Sequence, residues 1–209
     1  TGKTAGFILP MLEILSGGRA KSRMPRSLVL APTRELAAQV AENFDDYGKY
    51  LKLSKALLTG GTSMGDQMKL LERGVDVLIA TPGRLLDLFG RGSILLTDVK
   101  VLVVDEADRM LDMGFIPDID KIISLLPPRR QSLLFSATMA PEIQKLAEKY
   151  MFSPVEVSVA LRSAAAETVV QKLVITDARK KRRALENIIS QEDIRNAFIF
   201  MNRKRDVPK

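Results

Sequence analysis

Cysteine, histidine and tryptophan are all absent from the 209 residues. Without cysteine there is no disulfide, no thiolate zinc site and no cysteine nucleophile, a composition that fits a reducing cytoplasm. Without histidine the usual general base and the usual transition-metal ligand are missing, so any acid–base chemistry falls to carboxylates. Aromatic residues are scarce, with eight Phe and three Tyr, and most Phe lie inside apolar runs. Surfaces that read splayed bases need exposed rings, so a nucleic-acid partner would be held by its backbone with little sequence preference. No apolar run approaches the roughly 20 residues that a bilayer requires, which leaves no expected membrane partner. The chain opens on Thr1, and no signal peptide is expected from its first residues.

The hydrophobic fraction, 46%, is enough for a sizeable core, and the length suits one full domain plus part of another. The net charge of +7 is unevenly spread. Residues 160–209 hold 12 Lys and Arg against 6 Asp and Glu, a net of +6, which leaves +1 for residues 1–159. A basic balance points to an anionic partner, although the run Arg179-Lys180-Lys181-Arg182-Arg183 is equally a solvated helix face.

Val101 to Val104 are consecutive apolar residues, mostly β-branched, and they run directly into Asp105-Glu106-Ala107-Asp108. Such a run reads as a strand buried on both faces, which can place charge only at its end. Open α/β sheets bind ligands at that carboxyl edge, where an acidic pair handles a divalent cation and a water molecule. The same acids would also suit the first turn of a helix. The pattern recurs. Residues 27–31 end in Pro32-Thr33-Arg34-Glu35-Leu36-Ala37, residues 56–59 in Gly60-Gly61, and residues 77–80 in Thr81-Pro82-Gly83-Arg84. Residues 133–135 end in Ser136-Ala137-Thr138. Most of these clusters open a helix-period segment, including 34 to about 51, and Pro82 and Pro141 sit where first-turn prolines belong. Alternating strand, polar cluster and helix imply βαβ units around a parallel sheet, with the clusters along one edge.

The chain begins Thr1-Gly2-Lys3-Thr4 and turns helical from Lys3 to about Leu15, with a kink expected at Pro10. Gly-Lys-Thr at a helix start is the second half of a phosphate-binding loop. Gly2 lets the backbone approach phosphate, the Lys3 ammonium reaches the β and γ groups, and the Thr4 hydroxyl helps hold Mg²⁺. Paired with the Asp-Glu strand end, both halves of an ATP site are present. Asp105 would hold the metal, partly through water, and Glu106 would orient or deprotonate the attacking water. Lys3, Asp105 and Glu106 are thus the expected catalytic groups. Thr33 and Thr81 stand at helix N-termini that favour phosphate, with Arg34 and Arg84 beside them.

These strings, in this order, resemble the first RecA-like domain of a DEAD-box ATP-dependent RNA helicase. The resemblance covers Gly2 to Thr4 (motif I), Pro32 to Ala37 (Ia), Gly60-Gly61, Thr81 to Arg84 (Ib), Asp105 to Asp108 (II) and Ser136 to Thr138 (III), nearly all of residues 1 to 159. Leu111-Asp112-Met113-Gly114-Phe115 resembles bacterial members such as the RhlE-like branch, and residues 197–207 resemble motif IV. The resemblance implies that Asp108 couples to Ser136 and Thr138. It also implies RNA backbone contacts at Pro32, Thr33, Arg34, Gly60, Gly61, Thr81, Gly83 and Arg84, with ATP and Mg²⁺ as cofactors.

It further implies a RecA-like domain over 1–160 that begins within motif I, a linker over 161–168, and the opening β-α-β of a second domain over 169–209. The rest of motif I and an adenine-reading motif belong upstream in this family, and motifs V and VI downstream. These 209 residues alone are therefore expected to hydrolyse ATP barely or not at all. The alternative is a non-catalytic RNA- or protein-binding module that keeps the fold; a DNA-directed ATPase fits the strings less well.

Overall fold

The computed structural model describes residues 2–158, 170, 172–191 and 196–201. The chain divides into two compact units, Thr1–Glu156 and Val157–Lys209.

The first unit is built on five strands: β1 (Ser27–Leu30), β2 (Lys55–Leu58), β3 (Val77–Ala80), β4 (Val101–Val104) and β5 (Gln131–Leu134). All pairings are parallel, and the order across the sheet is β2-β3-β1-β4-β5. The register levels their carboxyl ends. Leu30 pairs with both Ala80 and Val104, Ala80 with Leu58, and Val104 with Leu134. Ala31, Thr59, Thr81, Asp105 and Phe135 therefore begin a single rim.

Strand alternation sorts the core onto the two faces of the sheet. Val29, Ile79 and Val103 pack with Phe7, Ile8, Met11, Val40 and Phe44 of helices α1 (Lys3–Leu15) and α2 (Arg34–Tyr47). Leu28, Leu30, Leu78, Leu102 and Val104 face the other way. They meet α3 (Met64–Arg73), α4 (Pro82–Gly90), α5 (Ala107–Asp112), α6 (Ile116–Ser124) and α7 (Pro141–Tyr150) through Leu71, Leu85, Met110, Ile122 and Ile143. Prolines stand in the first turns of α4, α6 and α7, where no amide bond is lost.

Two local expectations shift, while helix α1 runs from Lys3 to Leu15 as expected, with Pro10 inside it. Helix α2 stops at Tyr47 rather than near Leu51. Gly48 ends it, in a spot where a Cβ would lie 2.8 Å from the Phe44 carbonyl oxygen and 3.3 Å from Leu12. Strand β5 starts at Gln131, two residues before the apolar run.

Beneath the sheet, at the end opposite the rim, Arg26 and Asp76 form a buried ion pair with Nη2 to Oδ1 at 2.8 Å. Arg26 also donates to the Leu15 and Gly17 carbonyls at 2.7 and 2.6 Å. Asp76 accepts from the amides of Ala20 and Ser54 and from the Ser54 hydroxyl. Burial alone would raise Asp76, but these bonds and the guanidinium hold its carboxyl below the usual range. One pair thus fastens the end of α1 and the starts of β1, β2 and β3.

In the second unit a 3₁₀ turn, Ala178–Lys180, leads into α8 (Lys181–Gln191). The basic run spans this junction; Arg182 pairs with Glu186 one turn on, at 2.9 Å. The strands expected at 169–175 and 197–201 do not form among the described residues. Leu173, Ile175, Phe198 and Phe200 are each about nine-tenths exposed. Apolar runs of this kind become strands only by pairing within a buried sheet. The composition break at 162–168 and most of the motif IV string lie outside the described residues.

Candidate functional site

The start of α1 is open to an anion. Gly2 adopts φ 78°, the left-handed region in which glycine is unstrained, and a Cβ there would meet nothing within 4 Å. The helix has no side-chain cap and no acid in its first turn, so its leading amides keep their positive end unneutralised. Lys3 and Thr4 are half-buried beside it. Across the rim, β4 delivers Asp105, which is 3% exposed. Its amide donates to the Leu30 carbonyl at 3.0 Å and its Oδ1 accepts from the Glu106 amide at 3.0 Å. Burial pushes the Asp105 carboxyl above the usual range; the Glu106 amide and the Lys3 ammonium pull it part of the way back. The Lys3 ammonium is thus close enough to act on the Asp105 carboxyl.

Glu106 sits at φ 51°, ψ 54°, a left-handed conformation rare for a residue with a side chain. Strain of this kind is of order 1–3 kcal/mol and persists only where neighbours over-determine it. Here the Asp105 amide is tied to β1 and the Ala107 amide to the Phe135 carbonyl at 2.9 Å. The Glu106 carboxylate turns outward and accepts from Arg109 Nη1 at 3.3 Å.

Asp108 binds the loop that follows β5. Its Oδ2 accepts from the amides of Ala137 and Thr138, both at 3.1 Å, and from the Thr138 hydroxyl at 3.3 Å. The Asp108 amide donates to Ser136 Oγ at 3.3 Å. Desolvation would raise this carboxyl, yet the bonds from Arg109, Thr138 and Ser136 keep it below the usual range. All three residues expected to couple are thus in direct contact.

The other clusters meet farther along the rim. Thr33 caps α2 by accepting from the Leu36 amide at 3.2 Å. Thr81 caps α4 through its backbone alone, with Pro82 in the first turn, which leaves the Gly83 and Arg84 amides without helical partners. Pro32, expected among the contact residues, is buried, and its position fits a role in shaping the turn. Arg34 lies over the glycine pair. A Cβ on Gly60 would stand 3.1 Å from its Nη2, and one on Gly61 would collide with Nη1. The glycines therefore admit Arg34 itself, a use not foreseen from the sequence. An open groove of about 510 Å³, lined by Thr33, Glu35, Leu36, Gln39, Glu106 and Arg109, joins this half of the rim to the acidic strand end.

Sequence reasoning missed Arg109 and Gln67. Arg109 carries no motif signal beyond following the acidic string. Gln67 could have been noticed, because it stands four residues before Leu71 on the buried face of α3. A polar residue at a core position calls for a partner. Among the described residues no three acids converge to cage a metal.

The family model described as DEAD/DEAH box helicase matches residues 1–146. Over 98% of its length the chain is 42% identical to the DEAD-box ATP-dependent RNA helicase 40 of Arabidopsis thaliana, of which it covers 19%. It is 41% identical to the ATP-dependent RNA helicase RhlB of Pseudomonas putida, covering 99% of this chain and 54% of that one. Among solved structures, a DEAD box protein from Methanococcus jannaschii aligns at TM-score 0.67 and 40% identity, over 73% of this chain and 41% of its own. The yeast DEAD-box splicing factor Prp28 aligns at TM-score 0.68 and 34% identity, over 73% and 37%. The chain thus spans between about a fifth and about half of these relatives.

Proposed function

Because the chain belongs to the DEAD/DEAH box helicase family, we propose that it forms the ATP- and RNA-contacting first domain of a cytoplasmic ATP-dependent RNA helicase. Residues 1–160 would be the RecA-like domain, 161–168 a linker and 169–209 the opening of a second domain. The observation that carries the reading is the single rim, on which Asp105 and Glu106 follow β4 and Asp108 is bonded to Ser136, Ala137 and Thr138.

In this reading Gly2, the first-turn amides of α1 and the Lys3 ammonium hold the β and γ phosphates. Thr4 and Asp105 offer hard oxygen donors, which fit Mg²⁺ held by one or two side chains together with phosphate oxygens. A bound Mg²⁺ would neutralise phosphate charge. Glu106 orients the attacking water and accepts its proton, once its carboxylate leaves Arg109. Asp108 makes the loop at 136–138 respond to the nucleotide. Thr33, Arg34, Gly60, Gly61, Thr81, Gly83 and Arg84 grip the RNA backbone through amides and guanidinium groups. Duplex opening would follow from cycling that grip with ATP. The 209 residues alone are expected to turn over ATP barely, since the relatives are much longer.

ATP hydrolysis by the full-length protein with RNA or DNA added tests the reading. RNA is expected to stimulate turnover and DNA of the same sequence to leave it near the basal rate. Equal stimulation by both, or by neither, contradicts it.

A further inference from the structure

Gln67 is buried, at 4% exposed, yet every hydrogen-bonding group of its amide is engaged. Nε2 donates to the Thr59 carbonyl at 3.1 Å and to Thr62 Oγ1, while Oε1 accepts from Arg84 Nη1 at 3.0 Å. The guanidinium has no acceptor, so only this amide orientation satisfies the set. Thr62 closes the ring: its hydroxyl donates to the Thr59 carbonyl at 3.0 Å, and its own carbonyl lies 3.5 Å from Arg84 Nη1.

Packing does not require this residue. The neighbouring buried position on α3 is Leu71, and an apolar side chain at 67 would complete the same stripe without desolvating an amide. What the amide achieves is a connection. It joins the loop of Thr59 to Thr62, which contains Gly60 and Gly61, to the first turn of α4. The Arg34 guanidinium lies close to the same glycines. With Arg84 Nη1 committed inside the protein, its Nε and Nη2 donors are left for a ligand.

We infer that Gln67 is a positioning residue for RNA recognition, locking the glycine loop and Arg84 into one preformed surface. This rests on the reading that Arg84 and the glycine pair contact the RNA backbone. Preorganised donors bind more tightly because their ordering cost is met before the ligand arrives.

The test is equilibrium binding of a single-stranded RNA oligonucleotide to the full-length protein at several salt concentrations. The variants are Gln67→Met, Arg84→Ala and the pair together. Arg84→Ala should weaken binding and reduce the salt slope by about 0.7, the loss of one single-strand phosphate contact. Gln67→Met should weaken binding about three- to tenfold, the range for one lost ordering hydrogen bond. It should lower the salt slope likewise and leave the apparent ATP affinity unchanged. In the double variant the losses should not add, because both break one unit. Losses that multiply, or an equal loss of ATP affinity in Gln67→Met, overturn the lock while the RNA surface stands. No effect of Arg84→Ala on RNA binding overturns the RNA surface itself, and the lock with it. Should Gln67→Met fail to fold, Thr62→Val loosens the lock from an exposed position by removing the hydroxyl that bonds Gln67 and the Thr59 carbonyl, and additive losses with Arg84→Ala overturn the inference equally.

Discussion

Asp76 and Asp105 are both buried aspartates beside strands of one sheet, at 5% and 3% exposed, and their environments are opposite. Asp76 precedes β3 and is saturated: Arg26, the Ala20 amide, the Ser54 amide and the Ser54 hydroxyl all serve it. Its carboxyl is held below the usual range. Asp105 follows β4 and, among the described residues, takes a single hydrogen bond from the neighbouring Glu106 amide. Its carboxyl is pushed above the usual range. The same side chain at equal burial is thus satisfied where it fastens the fold and under-served where a ligand is expected. A site that bound its own charges fully would have nothing left for a cation or phosphate.

The contrast can be broken most severely at Asp76. Asp76→Asn strands a buried Arg26 and should cost about 3–5 kcal/mol of unfolding free energy, read from denaturant midpoints. A loss below about 1 kcal/mol would put the fastening elsewhere. The pH dependence has a definite sign. Because the folded carboxyl is depressed, its contribution is present above the unfolded value of about 4 and is lost as pH falls through the lower folded value. The acid limb of the stability curve should therefore flatten in the variant.

Catalysis sharpens the other side of the contrast. Glu106→Gln removes the proposed proton acceptor and leaves Asp105 in place. Turnover of the full-length protein should drop about 10²–10⁴-fold, with the KM for ATP little changed. An unaltered kcat would place the base at another residue.

The sheet was readable in the sequence because four-residue apolar runs ending in polar clusters have few other uses. β3 and β4 fall on the expected residues, and the level register follows from their stopping together. The family was equally readable from the polar strings, since the matching family model covers residues 1–146. What escaped were relations between distant residues. Nothing local in Arg26 announces Asp76, 50 positions on. The link from Asp108 to Ser136 and Thr138 came from family resemblance, not from spacing. The glycine pair was read as room for a ligand, whereas the room is taken first by Arg34. Among the described residues the apolar runs of the second unit are not strands, because a run's composition alone does not supply strand pairing.

The most direct test of the contrast is thermal melting of the full-length protein and its Asp76→Asn and Asp105→Asn variants, with and without Mg²⁺ and ATP. The account predicts that Asp105→Asn melts at or slightly above the parent temperature when nucleotide-free, a gain of up to about 1 kcal/mol from a charge no longer buried. It should also lose the stabilisation that Mg²⁺ and ATP confer. Asp76→Asn should melt far lower and keep that stabilisation. An Asp105→Asn protein as destabilised as Asp76→Asn, or one still fully stabilised by Mg²⁺ and ATP, would contradict it.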